Sequence, residues 1–191
     1  MCGEVGTELS DGKARLGLIE SPATDDESRT VTTTLPGTWR EPHRNVEIPF
    51  PQAIDEWADA AVLALEEVAT TYGAHITYKE LATRLFDTTG IHTRMLVQNM
   101  SARLLNRVIH LCLEQNRPAL SSLVVTATDG TVGAGFDEVL RASGQKIPAT
   151  SLERERAAAV ERLACYRAYG DVPADAEPML TPKYEAQVIR W

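Results

Sequence analysis

The chain has 191 residues, of which 43% are hydrophobic and 24% charged, so one globular domain with a buried core is expected. It contains no apolar stretch long enough to span a bilayer. Its start, MCGEVGTELSDGK, lacks the basic and apolar regions of a signal peptide. Three scattered cysteines favour reduced thiols, and we therefore expect a cytoplasmic protein without membrane contact.

The formal net charge of −8 disfavours a nucleic-acid-binding protein, because such proteins neutralise phosphates with basic side chains. The charge is unevenly distributed, however. Residues 51–77 carry five carboxylates and no Lys or Arg, whereas residues 78–118 carry six Lys or Arg against three carboxylates. The preference for Arg over Lys indicates a GC-rich bacterial genome. One segment of the chain is thus basic enough to contact nucleic acid.

Residues 1–48 are poor in apolar side chains and rich in Gly, Ser, Thr, Asp and Pro. This composition predicts a flexible N-terminal arm, since it offers little surface to bury. Arg40, His43 and Arg44 would also suit a basic arm that reaches DNA, but a passive tail is the favoured interpretation.

The next segment, QAIDEWADAAVLALEEVATTYG, predicts a helix of about 20 residues. Pro49 and Pro51 suit its first turn, and Gly73 suits its C-terminal cap. Apolar residues recur at helical spacing and form the stripe expected to face the core: Ile54, Trp57, Ala58, Ala61, Val62, Leu65 and Val68.

Two further helical patterns follow. Thr77 and Glu80 have the spacing of a capping box, which predicts the start of a short helix that the sequence DTTG ends. Thr93 is placed to cap the next pattern, which runs from Arg94 to Asn116 and ends before Pro118. The periodicity fits one long helix or two helices that break near residues 98–101.

After Pro118 the pattern changes to β-forming residues. Residues 123–126 predict a strand, Asp129-Gly130 predicts a hairpin turn, and TVGAGF predicts the returning strand. A short helical stretch at 137–143 and a final helix, capped by Thr150 or Ser151, precede an irregular tail. The predicted fold is mainly α with a small β-hairpin. It is a winged helix-turn-helix domain at 49–145, with an extra N-terminal helix, and a C-terminal helix and tail at 146–191.

No enzyme or cofactor site is predicted. His43, His75, His92 and His110 lack ligand spacing with one another or with the cysteines, so no metal site is expected. The glycines at 130, 133 and 135 follow a strand but do not open a helix, which is unlike a dinucleotide-binding loop. No nucleophile stands at a recognisable spacing from a base. We therefore expect a non-catalytic protein without a cofactor.

The basic residues of the central segment form two pairs at helical spacing. Arg103 and Arg107 share a predicted face with His110, and Arg94 with Gln98 forms a similar pair one element earlier. Two interpretations of these residues are open. They form a surface that contacts phosphates and base edges, or they form a solvated face on which Arg107 pairs with Glu114 or with the acidic helix.

The segment from ITYKELA to SSLVVTATDGTVGAGF, residues 76–136, resembles the winged-helix domain of O6-alkylguanine-DNA alkyltransferases and alkyltransferase-like proteins. The resemblance implies that Tyr78 contacts a phosphate and that Arg103 fills the gap left by a flipped base. It also implies that Val124-Val125 matches the family's valine pair, with Gly130, Gly133 and Gly135 in its wing.

The chain departs from the family in the reactive segment. Leu120-Ser121-Ser122-Leu123 stand where the family has Pro-Cys-His-Arg, so the alkyl-accepting cysteine and its activating histidine are both missing. Alkyl transfer to the protein is therefore not expected. The segment is also similar to small bacterial and nuclease-linked proteins, which by analogy suggests DNA repair, restriction or phage defence.

The sequence thus favours a non-catalytic protein that binds double-stranded DNA. The residues predicted to make the contact are Tyr78, Lys79, Arg94, Gln98, Arg103 and Arg107. The rival hypothesis is an acidic protein-interaction module that docks a partner such as a nuclease and does not bind DNA itself. The net charge and the scarcity of Lys and Arg in the predicted wing favour the rival.

Overall fold

The computed structural model describes residues 37–189 and, within them, all side chains but those of residues 44 and 45. This part of the chain is mainly helical, as predicted. Its helices are α1 (Phe50–Ala69), α2 (Tyr78–Thr89), α3 (Val97–Glu114), α4 (Asp137–Ala142), α5 (Ser151–Tyr169) and α6 (Pro182–Val188). Its strands are β1 (Thr38–Arg40), β2 (His43–Ile48), β3 (Ile76–Thr77), β4 (Ile91–Thr93) and β5 (Val124–Val125).

The strands form two small sheets. β1 lies between β2 and β4 in an antiparallel sheet, and β3 pairs with β5 in parallel. No helix in the described range has the length and apolar character needed to cross a membrane.

Helix α1 forms the centre of the core, where it contacts α2, α3 and α5. The predicted apolar stripe is confirmed, with Trp57 and Leu65 completely buried. The Trp57 indole nitrogen donates to the Ile91 carbonyl at 3.3 Å, which fixes β4 against the helix. The helix ends earlier than predicted, with Thr70 as its C-cap, and Gly73 adopts a left-handed conformation in the loop that follows.

The predicted start of α2 is confirmed. The Thr77 hydroxyl accepts from the Glu80 amide at 3.2 Å, and the Glu80 carboxylate accepts from the Thr77 amide at 2.9 Å. Gly90 ends the helix in a left-handed conformation that β-carbon-bearing residues rarely adopt.

Residues 97–114 form one continuous helix, which decides between the two alternatives that periodicity left open. The helix begins three residues after Arg94. Thr93 is not its N-cap; its hydroxyl accepts from the Met95 amide at 3.1 Å in the loop before the helix.

The predicted hairpin at Asp129-Gly130 is wrong. Residues 126–131 close a compact turn in which the Asp129 carboxylate accepts from the hydroxyl groups of Thr126 and Thr131. No strand returns from this turn in the described range, and the Val132 amide donates to the buried Glu155 carboxylate. A 3₁₀ turn at 134–136 follows and leads into α4.

A hairpin forms instead within the segment predicted to be a flexible arm. Residues 38–48 make β1 and β2, with Thr38 buried and its hydroxyl donating to the Ile48 carbonyl. Trp39 lies opposite His92 of β4, and their rings stack with centroids 6.0 Å apart. This pairing with a strand about fifty residues away is not visible in local composition. The rest of the predicted arm lies outside the described residues.

Helix α5 begins at the predicted cap, Thr150, and carries a completely buried ion pair. Arg162 donates to the Glu155 carboxylate at 3.0 Å and to the Ser122 carbonyl at 3.3 Å. Glu155 also accepts from the Val132 amide. The tail beyond α5 was predicted to be irregular, but its last part forms the short helix α6.

Removing one member of this buried pair should destabilise the fold strongly. Glu155→Ala leaves the Arg162 charge buried without its partner, and we expect a loss of about 3–5 kcal/mol in the free energy of unfolding. Urea denaturation followed by circular dichroism measures this loss.

Two controls accompany the measurement. Replacing both partners, as in Glu155→Leu with Arg162→Met, should recover part of the loss because no lone charge is buried. Arg141→Ala removes the solvent-exposed pair with Glu138 and should cost less than about 1 kcal/mol. Equal losses for Glu155→Ala and Arg141→Ala would show that the buried pair has no special role.

Candidate nucleic-acid interface

A cavity of about 870 Å³ opens between the first turn of α2, the first half of α3, the turn after β5 and α4. Its walls combine apolar surface with amide, hydroxyl and charged groups. It is lined by Thr77, Tyr78, Lys79, Leu96, Val97, Gln98, Ala102, Leu105, Asn106, Thr126, Ala127, Thr128, Gly133, Ala134, Gly135, Glu138 and Arg141.

Tyr78 connects two walls of this cavity. Its hydroxyl accepts from the Gly133 amide at 3.2 Å, so the first residue of α2 is fixed to the segment after the turn. Burial raises the pKa of the Tyr78 phenol, and the nearby Glu155 carboxylate raises it further. The phenol therefore stays neutral at physiological pH. It keeps its proton for donation to an acceptor in the cavity.

The N-termini of two helices face the cavity, since Tyr78 and Lys79 begin α2 and Val97 and Gln98 begin α3. Thr77 and Glu80 already cap the start of α2, whereas α3 has no side-chain cap, so its first-turn amides and the positive end of its dipole are open to the cavity. Among the charged lining residues, Arg141 pairs with Glu138 at 3.0 Å, and Lys79 makes no salt bridge with any described side chain. The cavity therefore favours an anionic ligand, although the whole chain is acidic.

The exposed face of α3 continues outward from the cavity. Between the start of the helix and His110, its exposed residues are polar or small and carry no carboxylate: Gln98, Asn99, Ala102, Arg103, Asn106 and His110. Glu114, in the last turn, is the first acidic residue of the helix. Asn, Gln, Arg and His are side-chain types that contact base edges and phosphates in DNA complexes.

Two exposed arginines flank this face and lie over aromatic rings. The Arg94 guanidinium carbon is 5.7 Å from the Trp39 ring centroid, and that of Arg103 is 5.5 Å from the Phe50 ring centroid. Neither forms a salt bridge with a described side chain. The guanidinium groups themselves lie over the rings, so cation–π attraction restricts their position while both side chains stay exposed.

The other arginines of the basic segment are paired with the carboxylates of α1. Arg107 donates to Asp55 at 2.8 Å and lies 3.8 Å from Glu114. Arg84 pairs with Glu67, and Arg117 pairs with Glu66. Half of the positive charge that made this segment basic thus neutralises the acidic helix.

The structure therefore divides the six predicted contact residues. Tyr78, Lys79 and Gln98 meet in the cavity, Arg94 and Arg103 lie over aromatic rings and do not line it, and Arg107 faces α1. Sequence reasoning missed Asn106 and Arg141. Asn106 had a usable signal, because it lies eight residues after Gln98 and so shares its helical face. No sequence signal pointed to Arg141, because α4 reaches the cavity only through tertiary packing.

The residues at the family's reactive segment lie outside the cavity. Ser121 and Ser122 are buried, and neither lines it. Ser121 Oγ has no hydrogen-bond partner in the part of the chain that the structure describes, and Ser122 Oγ lies 3.9 Å from Cys165 Sγ. Burial raises the pKa of Cys165 to about 12, so this thiol is not ionised at neutral pH. Residues 37–189 contain no cluster of three or more His, Cys, Asp or Glu side chains suited to a metal ion.

Comparison with known proteins returned no matching family model, no matching curated protein and no matching solved structure.

The contact between Tyr78 and Gly133 provides a test of the cavity wall. A β-carbon at Gly133 would lie 2.5 Å from the Tyr78 hydroxyl oxygen, whereas one at Gly135 meets no atom within 4 Å. Gly133→Ala should displace the Tyr78 ring and break its hydrogen bond, at a cost of about 1–2 kcal/mol in the free energy of unfolding. Gly135→Ala is the matched control and should stay within about 0.5 kcal/mol of the wild type. Equal stabilities by urea denaturation would contradict the close contact.

The buried serines provide a test for covalent chemistry. Serine without an adjacent base is a poor nucleophile, so incubation with duplex DNA containing an alkylated guanine should leave the protein mass unchanged. Intact-protein mass spectrometry makes the measurement. A stoichiometric gain of one alkyl group would overturn the expectation of a non-catalytic protein.

Proposed function

We propose that this protein binds double-stranded DNA without catalysing a reaction on it, with α3 as the recognition helix. The observation that carries the proposal is the exposed face of α3, which presents Gln98, Asn99, Arg103 and Asn106 without a carboxylate. In a chain of net charge −8, such a face is unusual enough to indicate a polyanionic partner. A helix of this length fits the major groove.

The cavity supports the same proposal. It lies beside α3, has two helix N-termini on its walls and is bordered by Lys79. The uncapped first turn of α3 and the Lys79 ammonium, which has no salt bridge with a described side chain, suit a phosphate group, and such a contact fixes a protein on a duplex without reading sequence. Asn and Gln side chains in the same walls supply the donor and acceptor pairs that recognise bases.

In this proposal α2 and α3 form the helix-turn-helix of a winged-helix domain. The segment 126–135, which faces α3 across the cavity, takes the place of the wing although it forms no hairpin. The resemblance to alkyltransferase-like proteins supports a role in DNA repair, restriction or phage defence, because it assigns the same two helices to DNA. The buried serines in the reactive segment support binding rather than alkyl transfer.

Arg107 is left out of the proposed contact set. Its guanidinium is held by Asp55 and Glu114, and a phosphate would have to compete with both carboxylates. The proposed set is Tyr78, Lys79, Arg94, Gln98, Arg103 and Asn106.

The rival hypothesis, a protein-interaction module, is favoured by a different surface. A groove of about 760 Å³ runs along the outer side of α5, with the half-exposed Val160 in its wall. The acidic face of α1 supports this rival less than the sequence suggested, because Asp55, Glu56, Glu66 and Glu67 are paired within the chain.

Salt dependence of duplex binding tests the proposal. Lys79, Arg94 and Arg103 provide three cationic contacts, which together contribute about −3 to the slope of the logarithm of the association constant against the logarithm of salt concentration, and each further phosphate contact makes the slope steeper. Fluorescence anisotropy with a labelled duplex at several salt concentrations gives this slope.

Arg103→Gln and Arg107→Gln form a matched pair one helical turn apart. The first should reduce the steepness of the slope by about one unit, whatever the DNA sequence, and the second should change it far less. If both variants changed the salt slope equally, the conclusion that Arg107 is held by Asp55 of α1 and does not contact DNA would be contradicted. If the anisotropy of the labelled duplex did not change on addition of wild-type protein even at low salt, the DNA-binding proposal would be wrong and the protein-interaction module would be favoured.

A further inference from the structure

The turn that forms one wall of the cavity is held from outside by the C-terminal strap, a name we use for residues 170–189. The Thr181 hydroxyl donates to the Gly130 carbonyl at 2.7 Å, and this contact is buried. The Lys183 ammonium donates to the Ala127 carbonyl. Ala127 lines the cavity, so the strap is bonded directly to its wall.

The fit between strap and turn is close. Gly130 adopts a left-handed conformation with φ of 74°, and a β-carbon there would lie 2.6 Å from the Thr181 hydroxyl oxygen and 3.1 Å from Lys183 Cβ. Thr181 also caps α6, since its hydroxyl accepts from the Tyr184 amide at 3.4 Å. One hydroxyl therefore joins the start of α6 to the turn.

The strap has few other attachments. The Tyr72 hydroxyl donates to the Glu177 carbonyl at 2.8 Å, and Arg167 donates to the Ala176 carbonyl at 3.1 Å. Helix α6 buries none of its residues. A segment with little buried apolar surface opens locally at low free-energy cost. Val172 at the start of the strap packs on the core, whereas near α6 the strap is hydrogen-bonded to the turn by Thr181 and Lys183.

Lys183 also adds positive charge beside the cavity. An ammonium group has three N–H donors, and the Ala127 carbonyl takes one of them. Lys183 is exposed, so its remaining donors are available to a phosphate oxygen. Lys183 does not line the cavity itself, but its ammonium is bonded to Ala127, which does, so it adds a cation at the outer edge of that wall.

We propose that the C-terminal strap is part of the nucleic-acid-binding face, with Thr181 positioning the turn that walls the cavity and Lys183 contacting a phosphate beside it. The role of Lys183 rests on the DNA-binding function proposed above. The positioning role of Thr181 does not, because it concerns the turn in the free protein.

Hydrogen exchange measured by mass spectrometry on the full chain tests the role of Thr181 without DNA. Thr181→Val removes the donor while keeping the shape of the side chain. Amides of residues 126–133 should then exchange about five- to tenfold faster, as the loss of one hydrogen bond implies. The exchange rates of peptides from α1 should not change.

Two variants make this result specific. Thr181→Ser keeps the hydroxyl and should exchange like the wild type. Thr88→Val makes the same substitution at an exposed position in the last turn of α2, away from the cavity, and should have no effect on residues 126–133. Unchanged exchange in Thr181→Val, or equally fast exchange in Thr181→Ser, would overturn the positioning role.

Duplex binding at several salt concentrations tests Lys183. Lys183→Gln should make the salt slope shallower by about one unit. Lys146 is exposed and does not line the cavity, so Lys146→Gln should leave the slope unchanged. Thr181→Val should weaken binding at every salt concentration without changing the slope. If Lys183→Gln kept the salt slope of the wild type, the role of Thr181 would not be affected, but the phosphate contact of Lys183 would be overturned. Absence of wild-type duplex binding would overturn it together with the proposed function, while hydrogen exchange would still decide the role of Thr181.

Discussion

The buried pair of Glu155 and Arg162 is the interaction on which the arrangement of the cavity depends. Desolvating two charges is costly, and it is tolerated here because both partners have further hydrogen bonds inside the protein. Glu155 accepts the Val132 amide, and Arg162 donates to the Ser122 carbonyl. The pair therefore joins α5 to both ends of the segment 122–132. One residue further on, the Gly133 amide donates to Tyr78 and extends the same connection to α2.

This network also fixes the course of the chain beside the cavity. The Val132 amide donates to Glu155, and the chain does not return along β5 as a hairpin strand. It makes a compact turn instead, and the space in front of α3 stays open. The strap then holds the outer side of the turn through Thr181 and Lys183. The cavity wall is thus attached to the buried network on one side and to an exposed segment on the other.

The second feature on which the surface depends is the pairing of α1 carboxylates with arginines. The acidic residues of α1 are paired with Arg40, Arg84, Arg107 and Arg117, which surround it. Surface ion pairs of this type add little stability individually, since solvent screens them. Their consequence here is that four carboxylates of α1 are neutralised by arginines, while Lys79, Arg94 and Arg103 make no salt bridge with a described side chain. Net charge is therefore a poor guide to what the α3 face attracts.

The sequence by itself determined the elements that depend on local signals. The stripe on α1, the Thr77–Glu80 box and the Thr150 cap all act within a few residues, and the structure confirms each of them. Three of the residues singled out in the sequence, Tyr78, Lys79 and Gln98, line one cavity. Tertiary structure decided the rest. The hairpin at 38–48 depends on pairing with β4, and the path of the chain after the turn at 126–131 follows the bond from Val132 to Glu155 far along the chain. The different environments of Arg103 and Arg107 depend on what α1 places opposite each, Phe50 for one and Asp55 for the other. Helical spacing treats these two arginines as equivalent, because it records which face of a helix a residue occupies and not which neighbour that face meets.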